Sequence, residues 1–271
     1  MAKITDNDRQ MYREKAKIYM SMTKALLDTE KHLVVEVKKE GDNSSLIRLT
    51  LADEMLNLAS NYIAINGISW SVLKTKNEEA LNDARKSMYK AVIYLEEAVS
   101  NYVDAPFSDY EEKLKLLESF DPNQRYNLIR KMGFAIDLLE AAYGDNSKWR
   151  WTFVDLEGRF AAVAKNIIDL KNVYTNTSYD SPYYESSVFH LRLVKKLLTQ
   201  AADRYREKYE LSTSQSLDFK TGINFLAALR RIHIVLAEND DSQEIKKKLA
   251  IWTTKLETDS KKREEEKKKL K

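Results

Sequence analysis

Apolar residues return every three or four positions along almost the whole chain, the spacing that lines one face of an α-helix. The longest run lies over residues 147–174, where Trp149, Phe153, Leu156, Phe160, Val163, Ile167, Leu170 and Tyr174 alternate steps of four and three. Leu81, Ala84, Met88, Ala91, Leu95, Ala98 and Tyr102 repeat it over 77–103, and Tyr184, Val188, Leu191, Leu198, Ala202, Tyr205 and Tyr209 over 182–210. Met11, Ile18, Met22 and Leu26 mark an opening helix. The period-two alternation of a strand has one serious candidate, "HLVVEVKKE" at 32–40. It continues the opening helical pattern and is read as the end of that helix.

Start and stop signals divide this pattern. Gly41 follows the opening helix, and Asn43–Ser45 and Asn77 are N-cap candidates for the next two. "SFDPNQRY" sets Asp121 at a cap, Pro122 at the first helical position and Gln124 three residues after the cap. Gly144 suits a left-handed helix end. Asp145 to Ser147 follow it as cap candidates, and Ser181 with Pro182 opens a further helix. The predicted helices are 6–39, 45–65, 77–103, 108–119, 122–143, 147–174, 182–210, 216–238 and 242–265. The expected fold is all-α: about nine mostly long antiparallel helices stacked as helical hairpins. Residues 1–256 are read as one domain and 257–271 as a charged, fraying helical tail.

Helix 147–174 is apolar on a second side as well, through Trp151, Val154, Gly158, Ala161, Ala162 and Ile168. A helix apolar on two sides is covered on two sides, which favours stacked hairpins over a single four-helix bundle. Gly158 costs about 1 kcal/mol against Ala in a helix interior, so close packing or a shallow groove is expected there. The tetratricopeptide pattern does not occur.

Composition agrees with long elements, since the chain of 271 residues has only 6 Gly and 3 Pro. At 43% hydrophobic and 32% charged it is too apolar for a disordered chain. The absence of Cys excludes disulfides and thiolate chemistry. No run of about 18 apolar residues spans a membrane, and the first residues lack the apolar core of a signal peptide; a cytoplasmic protein is the default expectation.

Charge changes the picture at one end. The last 26 residues hold eleven Lys/Arg against five Asp/Glu, leaving 34 against 37 in the first 245. A mildly acidic body argues against a surface built for nucleic acid. The tail cations Lys261, Lys262, Arg263, Lys267, Lys268 and Lys269 alternate with Glu264–Glu266, which supports an exposed helix through i,i+4 pairs. The alternative use of that tail is electrostatic binding of an acidic partner, an anionic membrane surface or nucleic acid.

Catalytic motifs are sparse. His32, His190 and His233 belong to neither an H-E-x-x-H nor a Glu-x-x-His pattern, and the scattered glycines assemble no phosphate loop. Asp240, Asp241 and Glu244 form D-D-x-x-E, the type of spacing that gathers magnesium for diphosphate chemistry, but no second acidic cluster matches it. The competing reading makes Asp241 a helix cap with Glu244 closing a capping box. No cofactor, metal ligand or catalytic residue is assigned. The expectation is a protein-interaction or scaffold module, with a metal-dependent all-α enzyme as the weaker alternative. Its contact residues are Tyr179 and Tyr183 in the loop "YTNTSYDSPYYESS", Trp151, and the cations Arg159, Lys165, Arg192 and Lys196.

Overall fold

The structure is a computed structural model describing residues 4–144 and 147–269, with the side chains of 266–269 outside the described set. The described residues are helical without a strand. Ten α-helices follow in order: α1 Asp6–Glu40, α2 Ser45–Leu73, α3 Glu78–Ala98, α4 Glu111–Lys115, α5 Pro122–Tyr143, α6 Arg150–Asn166, α7 Val173–Asn176, α8 Tyr184–Lys208, α9 Ser216–Val235 and α10 Asn239–Lys269. Contacts cluster into two compact units. The first takes residues 1–100 and 110–156, the second 101–109 and 157–271.

In the first unit α2 lies between α1 and α3, and α5 packs on α2 and α3. The reason is legible in α2 itself: Leu49, Leu51, Ala52, Met55, Leu56, Leu58 and Ala59 are all buried, on more than one side of the helix. The helix runs eight residues past the expected end at Ile65, because Gly67 is tolerated inside it. It stops at Lys74, which is left-handed at φ 55°. The loop to α3 is held by α2, whose Asn66 side chain accepts from the Asn77 N–H at 2.8 Å. Asn77 caps α3 as expected, accepting from Ala80 N–H at 3.0 Å. The stripe Leu81, Ala84, Met88, Ala91, Leu95 and Ala98 is buried.

Two expected details differ in this unit. Ile18 and Met22 face outward, Ile18 being 63% exposed, and α1 buries Ala16, Thr23 and Glu30 instead. Burial of Glu30 is tolerated because Lys90 Nζ donates to both its oxygens at 2.7 and 3.0 Å and the Tyr94 hydroxyl donates at 3.1 Å. The second difference is the helix expected at 108–119, which shrinks to α4 and turns. Buried Arg125 from α5 donates to the freed carbonyls of Leu117 and Phe120 at 2.8 and 2.7 Å. α5 itself begins with the expected capping box between Asp121 and Gln124.

In the second unit α9 lies between α8 and α10. Its core is aromatic: Phe219 stacks on Tyr209 with centroids 4.9 Å apart, Phe225 on Tyr205 at 5.7 Å, and Phe219 meets Trp252 at 5.5 Å. Such pairs add about 0.5–1.5 kcal/mol each beyond burial. Rings this close leave no room for side chains opposite. A Cβ on Gly158 would lie 2.6 Å from the Tyr205 ring, and one on Gly222 would lie 2.9 Å from the Ala202 carbonyl oxygen. Packing therefore accounts for Gly158.

Helix α6 is buried on both sides, with Phe153, Leu156, Phe160 and Val163 on one and Val154, Ala161 and Ala162 on the other. It ends at Asn166 rather than 174. Asp169 Oδ1 accepts from the N–H groups of Lys171 and Asn172, a local turn that competes with the helix. Tyr174 is consequently exposed, its hydroxyl donating to the Val235 carbonyl at the end of α9 at 2.6 Å. At its other end α8 passes into a π turn, Tyr209–Thr213. α10 starts earlier than the expected 242, because the chain leaves α9 through a tight helix-ending turn. Glu238 N–H donates to His233 O at 2.9 Å, Ala237 N–H to Ile234 O at 3.1 Å, and Ala237 is left-handed at φ 56°. Asp240 and Asp241 then fall inside the first turn of α10, so Asp241 is not its cap.

Candidate interaction surface

The outward face of α8 follows from its helical period. With Leu191, Val194, Leu198 and Ala202 buried, the residues at the opposite angle are Glu185, Phe189, Arg192 and Lys196. Phe189 is exposed, and the Arg192 guanidinium lies 5.9 Å from its ring centroid. One turn earlier Tyr184 carries Tyr179 stacked on it at 4.6 Å. Tyr179 is 86% exposed yet fixed by that stack. A hydrogen bond with Tyr179 holds the Tyr184 hydroxyl above the ordinary tyrosine range, against the opposing pull of the Arg192 charge. Tyr183, at the start of α8, is half-buried, its N–H donating to Ser181 Oγ at 3.2 Å. Ser181 thus opens a turn before the helix rather than capping it.

The structure therefore brings Tyr179, Arg192 and Lys196 to one face, with Tyr183 at its edge, and adds Tyr184 and Phe189. The other expected contact residues, Lys165, Arg159 and Trp151, lie on α6. Lys165 is only 3% exposed, and burial pushes its ammonium down to about 8, with Asp104 pulling it up and Arg231 pushing it further down. Its burial takes it out of any accessible set. Arg159 is half-buried on α6. Trp151 belongs to the first unit, half-buried with the Arg150 guanidinium 4.8 Å over its ring.

Beyond Lys196 the surface deepens into an open cleft of about 370 Å³. Lys195, Lys196, Thr199 and Gln200 line one wall, and His233, Asp241 and Glu244 the other. The α9–α10 turn sets Glu238 beside His233, whose Nδ1 is 2.6 Å from Glu238 Oε2. Lys195 Nζ donates to both Glu238 oxygens at 2.5 and 2.6 Å. Burial would raise the Glu238 carboxyl, but the bonds from Lys195 and His233 outweigh it and hold the group below its usual range.

The donor atoms of His233, Glu238 and Asp241 lie within 4.8 Å of one another, a spacing a metal ion could use. The Lys195 ammonium already pairs with both Glu238 oxygens, so a metal would compete with it for that carboxylate. The arrangement works as an ion-pair lock between α8 and the α9–α10 turn. Asp240 and Glu244 of the D-D-x-x-E stretch are exposed, and neither belongs to this triad.

The tail is helical through Lys269. Arg263 turns back on the π turn, donating to Tyr209 Oη at 3.1 Å and to the Ser214 carbonyl. Lys261 and Lys262 are exposed, and the side chains of Lys267, Lys268 and Lys269 lie outside the described residues. No described helix is long and apolar enough to cross a membrane.

A family model covers residues 8–260, nearly the whole chain. The chain belongs to the TP0443 family. That description states no activity. No curated protein and no solved structure matches the sequence.

Proposed function

We propose that the chain is a non-catalytic protein-interaction module that presents a rigid aromatic and cationic helix face to a partner. The observation that carries this reading is the Tyr179–Tyr184 stack beside Phe189 and Arg192: a tyrosine 86% exposed, yet pinned in place. Exposed rings gain little from water, while a fixed ring loses little side-chain entropy on contact. Tyr and Arg are also the side chains that most often dominate binding energy. The lock built by Lys195, Glu238 and His233 supports the reading, because it fixes the helix that bears the face.

The test compares affinity capture by the wild type with capture by Tyr179→Ala/Phe189→Ala. The expected result is a set of co-purifying proteins lost from the variant, with unfolding curves superimposed. Identical capture by both forms removes this face from the proposal.

A further inference from the structure

We infer that the outward face of α8 takes an acidic peptide segment carrying an apolar anchor, an inference that rests on the interaction-module reading above. The argument is charge complementarity. Helix α8 holds six cations: Arg192, Lys195, Lys196, Arg204, Arg206 and Lys208. Four are neutralised within the fold, Lys195 by Glu238, Arg204 by Glu157, Arg206 by Glu210 and Lys208 by Asp218. Arg192 and Lys196 have no ion-pair partner among the described residues. These two stand one turn apart on the side of the helix that carries the exposed rings.

Arg192 is also pre-positioned. Its guanidinium lies against the Phe189 ring and close enough to Tyr184 to influence that hydroxyl. A guanidinium held over a ring keeps its N–H fork free for a carboxylate. Phe189 and the Tyr179–Tyr184 stack offer apolar area one turn away, so one carboxylate-rich segment with an aromatic or aliphatic residue satisfies both halves of the face. The acids nearby set its limits. Glu185 lies at the N-terminal end of the face, and Asp241 and Glu244 form the far wall of the cleft beyond Lys196. The segment's carboxylates are therefore confined to the stretch between Phe189 and Lys196.

A random peptide library displayed on phage is panned on the full chain, and enriched sequences are remade as labelled synthetic peptides for fluorescence anisotropy. Enrichment of acidic peptides with an apolar residue is expected. Their binding should weaken about tenfold or more in Arg192→Glu/Lys196→Glu, and it should fall with added salt. Circular dichroism and the unfolding midpoint of that variant should match the wild type. Enriched peptides that are neutral or basic, yet lost in Tyr179→Ala/Phe189→Ala, overturn the acidic-segment inference and leave the interaction reading standing. No enrichment at all overturns both. If acidic peptides fail while vesicles of phosphatidylglycerol and phosphatidylcholine bind with the same dependence on Arg192 and Lys196, the inference is overturned in favour of an anionic lipid surface.

Discussion

Each unit sandwiches one central helix between its two chain neighbours, α2 between α1 and α3 and α9 between α8 and α10, but the two cores are made differently. The α2 core is aliphatic, built from Leu, Met, Ala and Ile. The α9 core is aromatic, with Tyr205 stacked on Phe225 and Phe219 set between Tyr209 and Trp252. Flexible aliphatic chains fill space without demanding a gap opposite. Flat rings and closely spaced helices do demand one, and glycine supplies it. A methyl group placed on Gly67 of α2 would meet no atom within 4 Å, whereas Gly158 and Gly222 are tightly opposed. One residue type thus plays opposite parts in two similar frames, and one substitution should act with opposite signs.

The largest effect is expected at Gly222. Alanine there gains about 1 kcal/mol of helix propensity. It must also push its Cβ against the Ala202 carbonyl oxygen, a backbone atom that yields only if α8 and α9 separate. Overpacking of this kind costs typically about 1–3 kcal/mol, occasionally more. With the backbone as the opposing atom the cost lies at the top of that range or above it, and we expect a net loss of about 2 kcal/mol for Gly222→Ala. It is read as faster amide exchange across α8 and α9 with α2 unaffected. A variant as stable as the wild type would show that the aromatic unit is no more tightly fitted than the aliphatic one, and the comparison would collapse.

Buried charge gives the next contrast. In the first unit Glu30 is compensated by Lys90 and by Tyr94, whose hydroxyl is pushed up to about 12 by burial and then by the Glu30 charge. In the second unit Lys165 is held down to about 8, mainly by burial. An unfolded lysine keeps its proton to about pH 10.4. Between pH 8 and that value the unfolded state binds more protons than the folded one, so stability rises with pH. The second unit should gain roughly 1.5 kcal/mol between about pH 7.5 and 9.5 by this route. Urea midpoints across that range should climb for the wild type and stay flat for Lys165→Met. A midpoint that climbs equally in both would place the titrating group elsewhere.

These contrasts also show how much of the molecule is legible in the chain alone. Helix existence follows from apolar spacing, and the caps at Asn77 and Asp121 fall where short polar residues precede an apolar run. Boundaries fail where a side chain or an unmarked turn decides the matter. Asp169 ends α6 inside an unbroken apolar stripe, and Ala237 takes a left-handed turn that glycine normally announces. The central place of α2 is readable from its apolar residues on all sides, a signal as strong as the second face of α6. Within the candidate face, Tyr179 stands out as a loop aromatic. Phe189 escapes an apolar-stripe reading because it lies off the stripe. Its signal is position: it precedes Arg192 by three and Lys196 by seven on the side away from Leu191, Val194 and Leu198. Lys165 looks like a surface cation by residue type, yet it sits within "AAVAKNII", an apolar setting that signals burial.

The unmarked turn provides a smaller effect. Ala237 holds φ 56° because the bonds from Glu238 N–H to His233 O and from Ala237 N–H to Ile234 O fix it there. A left-handed alanine costs roughly 1–2 kcal/mol, part of which is offset in a glycine variant by the greater freedom of the unfolded chain. Ala237→Gly should stabilise the second unit by about 1 kcal/mol without moving Glu238 from His233, measured as a higher urea midpoint. Loss of stability would mean that stiffness at this turn matters more than its strain, and that the lock on α8 depends on it.

The smallest effect completes the comparison from the aliphatic side. Gly67 is exposed in the interior of α2, has φ in the ordinary helical region, and faces open space. Nothing there requires glycine, so its cost is only the backbone entropy lost on folding, roughly 0.5–1 kcal/mol relative to alanine. Gly67→Ala should therefore raise the stability of the first unit by that amount, measured as slower amide exchange along α2, while Gly222→Ala lowers that of the second. The sign is what matters. Two glycines in central helices of alike topology respond oppositely only if the surrounding side chains, rather than the helix itself, determine where glycine is needed. If Gly67→Ala is destabilising, α2 has a close neighbour on that side, and the aliphatic unit would share the fine fit of the aromatic one.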